Sequence, residues 1–283
     1  MLLSMIILIP LNYNASLETK RVEGLFVAGQ TNGSSGYEEA AAQGLMAGIN
    51  AALKLQKKEP MILPRTSSYI GVLIDDLVTK GTKEPYRMFT SRAEHRLNLR
   101  HDTSDKRLIK WGYEVGLVSE EKYSRYFFKE KQIEEIKELL RHRRLKEKEA
   151  SSFELKRHIN KDFYHIVKDP YINLKDLVNI DPKLNASKVI LEQVELDIKY
   201  EGYINRQKDL IRKMSNLELI KLPLDFNYEI DGLSREAREK FVKIQPANLA
   251  QASRVSGVRN TDIQVLLIYF SNPKNKVVLN LDL

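Results

Sequence analysis

The sequence has no cysteine, a single tryptophan and five scattered histidines in 283 residues. The lack of cysteine excludes disulfides, thiolate nucleophiles and Cys-based zinc sites within this chain, and fits a reducing compartment. The histidines form no H-x-x-x-H pair, so no metal site is read from the sequence. Long apolar runs are also missing. MLLSMIILIP, residues 1–10, falls far short of the roughly 20 residues of a membrane helix. It lacks a basic flank and a cleavage site, so it is a poor signal peptide and reads as a buried strand. No internal repeat is present. The length suffices for one large domain or two smaller ones. Net charge is +8 and the pI about 9.3. That balance admits an acidic partner such as RNA, though many basic proteins bind no nucleic acid.

The most informative stretch is Gly24 to Ala51, GLFVAGQTNGSSGYEEAAAQGLMAGINA. Gly24-Leu25-Phe26-Val27-Ala28 reads as a buried strand. Gly29 to Gly36 is a glycine-rich loop, and a helix dense in small residues follows. Ser35 and Glu38 fit a capping box, placing the helix start near Gly36 and its end near Gln56. Ala40, Gly44, Ala47, Gly48 and Ala51 form a face that lets a neighbouring backbone approach. Strand, glycine loop and helix bring a helix N-terminus against a phosphate or a cofactor ring in α/β folds. A strand-to-helix turn without a ligand has the same pattern.

Four stretches follow one another: residues 1–57, a connector over 58–115, a helical region over 116–220, and a terminal helical unit over 221–283. In the connector, Tyr69 to Ile74 leads into Asp75-Asp76 and then a turn from Lys80 to Pro85. In the helical region Ser119 caps a helix with Tyr123, Phe127, Ile133, Ile136 and Leu140 on one face. Asp181-Pro182 starts another helix. Val189 to Met214 is a long helix or a pair, with Gly202 its weak point. In the terminal unit Ser234 starts a helix, Leu249 to Ser256 is stopped by Gly257, and Thr261 to Gln264 fits a second capping box. Helix, Gly turn, helix reads either as a helix-turn-helix or as a plain bundle corner.

Asp75 and Asp76 are the candidate catalytic carboxylates, as general bases or substrate-ordering groups; helix capping or arginine pairing is the competing role. Arg87, Arg92, Arg96 and Arg100 share a segment with Tyr86, Phe89 and His95. Arginine forks suit phosphates and aromatic rings suit unstacked bases. The alternative is ion pairing with Asp75, Asp76, Glu84 and Glu94. Arg141, Arg143 and Arg144 open a further basic run, readable as RNA contact or as a solvated helix face alternating with Glu147 and Glu149.

Several motifs carry a resemblance. AGQTNGSSGYEEAAAQGLMAGINA, then Tyr69 to Leu108 (YIGVLIDDLVTKGTKEPYRMFTSRAEHRLNLRHDTSDKRL), then Lys199 to Gln207 (KYEGYINRQ), then GLSREAREKF with PANLAQASRVSGV, Gly232 to Val258, resemble the MnmG (GidA) family in the family's order. The resemblance runs from about Leu17 to Phe270; residues 1–16 share little with it. It implies an α/β remnant of an FAD-binding, Rossmann-like domain followed by a mainly α-helical C-terminal domain. It also implies a flavoprotein that installs carboxymethylaminomethyl groups on the wobble uridine of tRNA. FAD is the implied cofactor, with NADH and a folate one-carbon donor for the complete protein. Gln30, Gly29, Asn32, Gly33, Gly36 and Tyr37 are the implied flavin contacts. A helix end aimed at the ring is expected to favour its anionic reduced form. The RNA-binding residues expected from the two basic segments and the resemblance are Arg87, Arg92, Arg96, Arg100, Arg141, Arg143, Arg144 and Arg254. The implied partners are tRNA, the GTPase MnmE docking on the terminal unit, and a second copy of the chain, in the cytoplasm without a membrane. The family's G-x-G-x-x-G fingerprint and its catalytic cysteines are absent here, so the sequence looks like the C-terminal half of such a protein. Two other readings stand beside it: a non-enzymatic tRNA- or partner-binding helical module, and the related folate-dependent tRNA uridine methyltransferase flavoprotein, which lacks the long helical extension.

Overall fold

A computed structural model describes residues 13–81, 85–223 and 226–272. The run at residues 1–10, the turn residues 82–84 with Glu84, and residues 273–283 lie outside the described residues. The chain divides into two compact units, residues 1–99 with 209–283, and residues 100–208. The connector of the sequence reading therefore straddles a unit boundary.

In the first unit α1 spans Tyr37–Leu55 and α2 spans Tyr69–Lys80. Alanines and long straight side chains give α1 high helix propensity. α2 is buried on every side from Gly71 to Thr79. That explains its apolar sequence without a clear stripe. Ser68 caps it by accepting from the Gly71 N–H at 2.8 Å. Gly71 has no room for a side chain, because a Cβ there would lie 2.4 Å from the Leu63 and Pro64 carbonyl oxygens.

The second unit holds α3 (Ser104–Glu114), α4 (Glu120–His142), α5 (Phe153–Lys156), α6 (Phe163–Val167), α7 (Leu174–Ile180) and α8 (Lys188–Lys199). α9, Glu201–Glu218, begins in it. The α8–α9 break falls at Tyr200, beside the expected weak point at Gly202. Ser119 caps α4 as expected, and Ile133, Ile136 and Leu140 face a core with Phe163, Leu174 and Val194. Phe127, expected on that face, is exposed. Asp181 caps a short 3-10 turn, Pro182–Leu184.

The first unit is completed by α10 (Arg235–Ile244), α11 (Leu249–Arg254) and α12 (Asn260–Ser271). Ser234 caps α10. α11, the Gly257 turn and α12 share one apolar cluster with Phe241 of α10, which makes a bundle corner. Gly257 takes a left-handed conformation, φ +84°. The second capping box forms differently from expectation. α12 starts one residue before Thr261, and the buried Asp262 carboxylate accepts from the Arg259 and Ser234 N–H groups.

Among the described residues no strand forms, only isolated bridges. The expected strand Gly24–Ala28 makes one antiparallel bridge, Phe26 with Glu18. Its backbone partners are Thr19, which donates to Leu25, and Leu17, which accepts from Val27. Leu25 remains 45% exposed. An α/β character is therefore not seen here, whereas the helical C-terminal part is. No described helix is long and apolar enough to cross a membrane.

Candidate functional site

The glycine loop folds back onto the helix that follows it. Gly29–Asn32 forms a 3-10 turn, and Gly29 and Gly33 adopt left-handed conformations that favour glycine. The organiser is Gln43 of α1, fully buried. Its Oε1 accepts from the Gly29 N–H at 2.9 Å and from Asn32 Nδ2 at 3.0 Å, and its Nε2 donates to Ser34 Oγ at 2.6 Å. Asn32 Nδ2 also donates to the Val27 carbonyl, while its buried Oδ1 has no partner among the described residues. The sequence reading passed over Gln43. Its signal was there, as a polar residue in register with the small face of Ala40 and Ala47.

The helix start is close to the expected place, but its cap is not. Gly36 is the N-cap and supplies no side chain. Ser35 and Glu38 form no box. Instead Glu39 turns back, and its Oε1 accepts from the Met88 N–H at 2.9 Å. That bond, with further help from its own N–H and Arg87, holds the Glu39 carboxyl below its usual range. A Cβ on Gly36 would meet Glu39 Oε2 at 1.8 Å, so glycine is what admits this carboxylate. The N–H groups of Tyr37 and Glu38 make no hydrogen bond among the described residues, the Tyr37 ring is 92% exposed, and Gln30 is exposed. The two N–H groups can donate to an acceptor that approaches this end of α1. Glu38 and Glu39 in the first turn offset the positive helix end, so a full negative charge there is less favoured than the loop pattern suggests.

Asp75 and Asp76 of the connector are part of a helix. Both lie on α2, buried and engaged by cations. Asp75 accepts two bonds from Arg254, both 2.9 Å, one from Arg65 at 3.1 Å and one from Gln251 at 3.1 Å. Asp76 binds Arg65 at 2.7 Å, Lys80 at 2.7 Å and the Tyr86 hydroxyl at 2.9 Å. Burial would push the Asp76 carboxyl up, but Arg65 and Lys80 outweigh it and hold it below the usual range. Burial and Asp76 together push the Tyr86 phenol up. Arg65, only 4% exposed, also grips Glu94. Neither aspartate is placed as a general base; arginine pairing accounts for both. Gln251 was missed because it lies 176 positions from Asp75 in sequence, whereas Arg65 is only ten positions away and was passed over.

This network reaches the glycine loop. The Tyr86 N–H donates to the Gly33 carbonyl at 2.7 Å, and Ser34 and Tyr86 form a parallel bridge. A cavity of about 410 Å³ lies beside it, walled by Ala42, Tyr69, Ile70, Leu73 and Met88, with Glu38, Glu39 and Arg87 at its polar side.

The expected RNA arginines separate into groups. Arg87 is exposed and 3.5 Å from Glu39. Arg92 lies over the Tyr86 ring, 4.5 Å from its centroid. Arg96 is exposed and forms no ion pair among the described residues. Arg254 is turned inward onto Asp75 and is 10% exposed. In the second unit Arg100 forks onto Asp102 at 3.0 and 2.7 Å. Arg141 pairs with Glu134 and Glu138, Arg143 with Glu149 and Asp181, and Arg144 donates to the Asn160 carbonyl. Among the described residues no group of histidines and carboxylates could hold a metal ion.

Comparison with known proteins decides the family. Residues 6–59 match the model described as glucose inhibited division protein A. Residues 120–208 match the tRNA modifying enzyme MnmG/GidA C-terminal helical domain, and residues 210–278 match its C-terminal helical bundle. This chain belongs to the MnmG/GidA family. The match from residue 6 corrects the expectation that residues 1–16 share little with it. A tRNA uridine 5-carboxymethylaminomethyl modification enzyme MnmG of Borrelia garinii is 77% identical over 275 residues, 97% of this chain and 44% of the relative. The enzyme of that name from Enterococcus faecalis is 48% identical, over 95% of this chain and 44% of its own length. Among solved structures, Aquifex aeolicus GidA in its form II crystal is similar with a TM-score of 0.83 and 42% identity, over 94% of this chain and 43% of that one. The chain thus spans less than half the length of the relatives it matches.

Proposed function

We propose that this chain is the part of a flavin-dependent tRNA-modifying enzyme that supplies one wall of the FAD site and a tRNA-facing helical surface. The reaction is the addition of a carboxymethylaminomethyl group at C5 of the wobble uridine. The observation that carries the flavin assignment is the Gln43-locked glycine loop, which leaves the Tyr37 and Glu38 N–H groups and the Gln30 side chain at one edge. Bound FAD supplies the redox chemistry. Gln30 and Tyr37, both exposed, bind and orient one end of it, and the buried Gly29, Asn32, Gly33 and Gly36 shape the loop behind them. NADH as reductant and a folate one-carbon donor belong to the same reading, as do the GTPase MnmE on the terminal helices, a homodimer and a cytoplasmic setting.

The tRNA assignment is supported by the names of the relatives and by the exposed Arg87 and Arg96 beside the loop segment. Arg254 is better read as a structural partner of Asp75.

The test is a segment exchange. This chain replaces the corresponding 44% of the Borrelia garinii relative. Flavin content is read from absorbance near about 450 nm. The exchanged protein is expected to carry flavin, and its Gln30→Ala variant to carry less. Equal flavin in both overturns the role of Gln30, and a colourless, folded exchange protein overturns the flavin assignment.

A further inference from the structure

The stretch KYEGYINRQ has no role in the site described above, yet it builds an unusual surface in the second unit. Tyr200 and Tyr203 are 39% and 58% exposed. Their ring centroids lie 6.5 Å apart. The Arg100 guanidinium covers Tyr200 at 5.4 Å, and that of Arg206 covers Tyr203 at 5.8 Å. The result is a row of guanidinium, ring, ring, guanidinium. Tyr203 and Arg206 lie three apart on one face of α9, and Tyr200 sits at the break just before it.

We propose that Arg100, Tyr200, Tyr203 and Arg206 form a stacking surface for unpaired bases of RNA. The proposal rests on the tRNA reading above and extends it to residues outside the arginine segments. Rings kept for the fold are buried, and these are not. Cations on the face of α4 are matched by carboxylates one turn away, as in Arg125 with Glu121, Lys131 with Glu135, and Arg141 with Glu138. Arg206 and Lys208 have no such partner among the described residues, and Asp209 pairs with Arg212 instead. Arg100 is fixed edge-on by Asp102, which leaves its plane against the Tyr200 ring. Exposed aromatic rings, with Tyr203 beside an Arg206 that has no ion pair among the described residues and Tyr200 beside an Arg100 held by Asp102, match the way single-stranded RNA is held, by stacking with sequence tolerance. The flanking exposed residues Asn205 and Lys208 are polar, whereas the core of a protein interface needs an apolar surround.

The test uses the whole chain, a short unstructured oligoribonucleotide carrying 2-aminopurine, and a blunt RNA duplex. Base stacking contributes about 1–3 kcal/mol per base, so Tyr203→Ala is expected to weaken oligonucleotide binding about ten-fold. It should also reduce quenching of the 2-aminopurine. Tyr203→Phe is expected to restore both, and duplex affinity to change little. Unfolding temperatures of the variants check that the exposed site leaves the fold intact. Unchanged oligonucleotide affinity and quenching in Tyr203→Ala, with RNA binding by the parent chain, overturn the stacking surface alone. A parent chain that binds neither RNA leaves these rings to a protein partner and overturns the proposal. The tRNA reading is then judged separately, by wobble-uridine modification in the segment-exchange protein.

Discussion

Arg254 on α11 grips Asp75 on α2 through two parallel hydrogen bonds, Nε and Nη2 each 2.9 Å from a carboxylate oxygen. The two residues are 179 positions apart in sequence. Their pair ties the terminal helices to the buried helix that precedes the Tyr86 segment. Bidentate geometry and burial make it stronger than a surface ion pair.

Arg254→Ala is therefore expected to destabilise the first unit by about 3 kcal/mol, the scale for breaking a buried pair. Asp75 keeps Arg65 and Gln251, which sets the loss at the lower end of that scale. Urea unfolding followed by circular dichroism measures it. A variant as stable as the parent, but weakened in tRNA binding, would instead restore Arg254 to the RNA surface.

Tyr86→Phe removes the hydroxyl that donates to Asp76 and keeps the ring under Arg92. The expected loss is about 1–2 kcal/mol, because a buried charged acceptor loses one of its donors. The Tyr86 amide is held by the Gly33 carbonyl, so its hydrogen exchange should quicken. Unaltered exchange at that amide would show the glycine loop to be independent of the network.

Acid should unfold the first unit in a way that depends on Asp76. Burial acts to raise this carboxyl, but Arg65 and Lys80 win, so its folded value lies below the ordinary 3.8. A depressed carboxyl contributes stability that is present above the unfolded value and lost as pH falls through the folded one. Stability is thus expected to fall below about pH 4. Asp76→Asn should be less stable at neutral pH and should show a flatter acid limb. Parallel pH profiles for the two proteins would contradict this.

Arg96→Glu and Ile268→Asp separate surface roles from folding. Arg96 is exposed without an ion pair among the described residues, and Ile268 of α12 is 72% exposed. Neither change should shift the unfolding temperature by more than that of a typical surface substitution, about 0.5 kcal/mol in stability. Arg96→Glu is expected to weaken tRNA binding and Ile268→Asp to weaken docking of the GTPase, each measured in a pull-down with the purified partner. Deleting residues 232–283 is a poorer test of docking, since it also removes Arg254 and Gln251 from Asp75.

Local signals in the sequence were read where the physics is local. Ser119 and Ser234 cap the expected helices because an N-cap hydroxyl needs only the N–H groups of the next turn. The break between α8 and α9 fell beside the expected glycine. Illegible features depended on distant partners. α2 fell within a stretch read as a connector because a helix buried on all sides has no stripe, and its two aspartates depend on partners led by Arg65 and Arg254. The Ser35–Glu38 box failed because the Met88 amide, 49 residues on, draws Glu39 back to the helix start. In the glycine loop the glycines were legible, but their reason was only partly so. Gly36 makes room for Glu39, and Gln43 holds the loop.

The most direct measurement of the central claim is wobble-uridine modification by the segment-exchange protein, read as the modified nucleoside by mass spectrometry of tRNA from cells lacking the native enzyme. The account predicts that tRNA regains the carboxymethylaminomethyl group with the parent segment and regains much less of it with Gln30→Ala. Unmodified tRNA, despite a folded exchange protein that carries flavin, would contradict it.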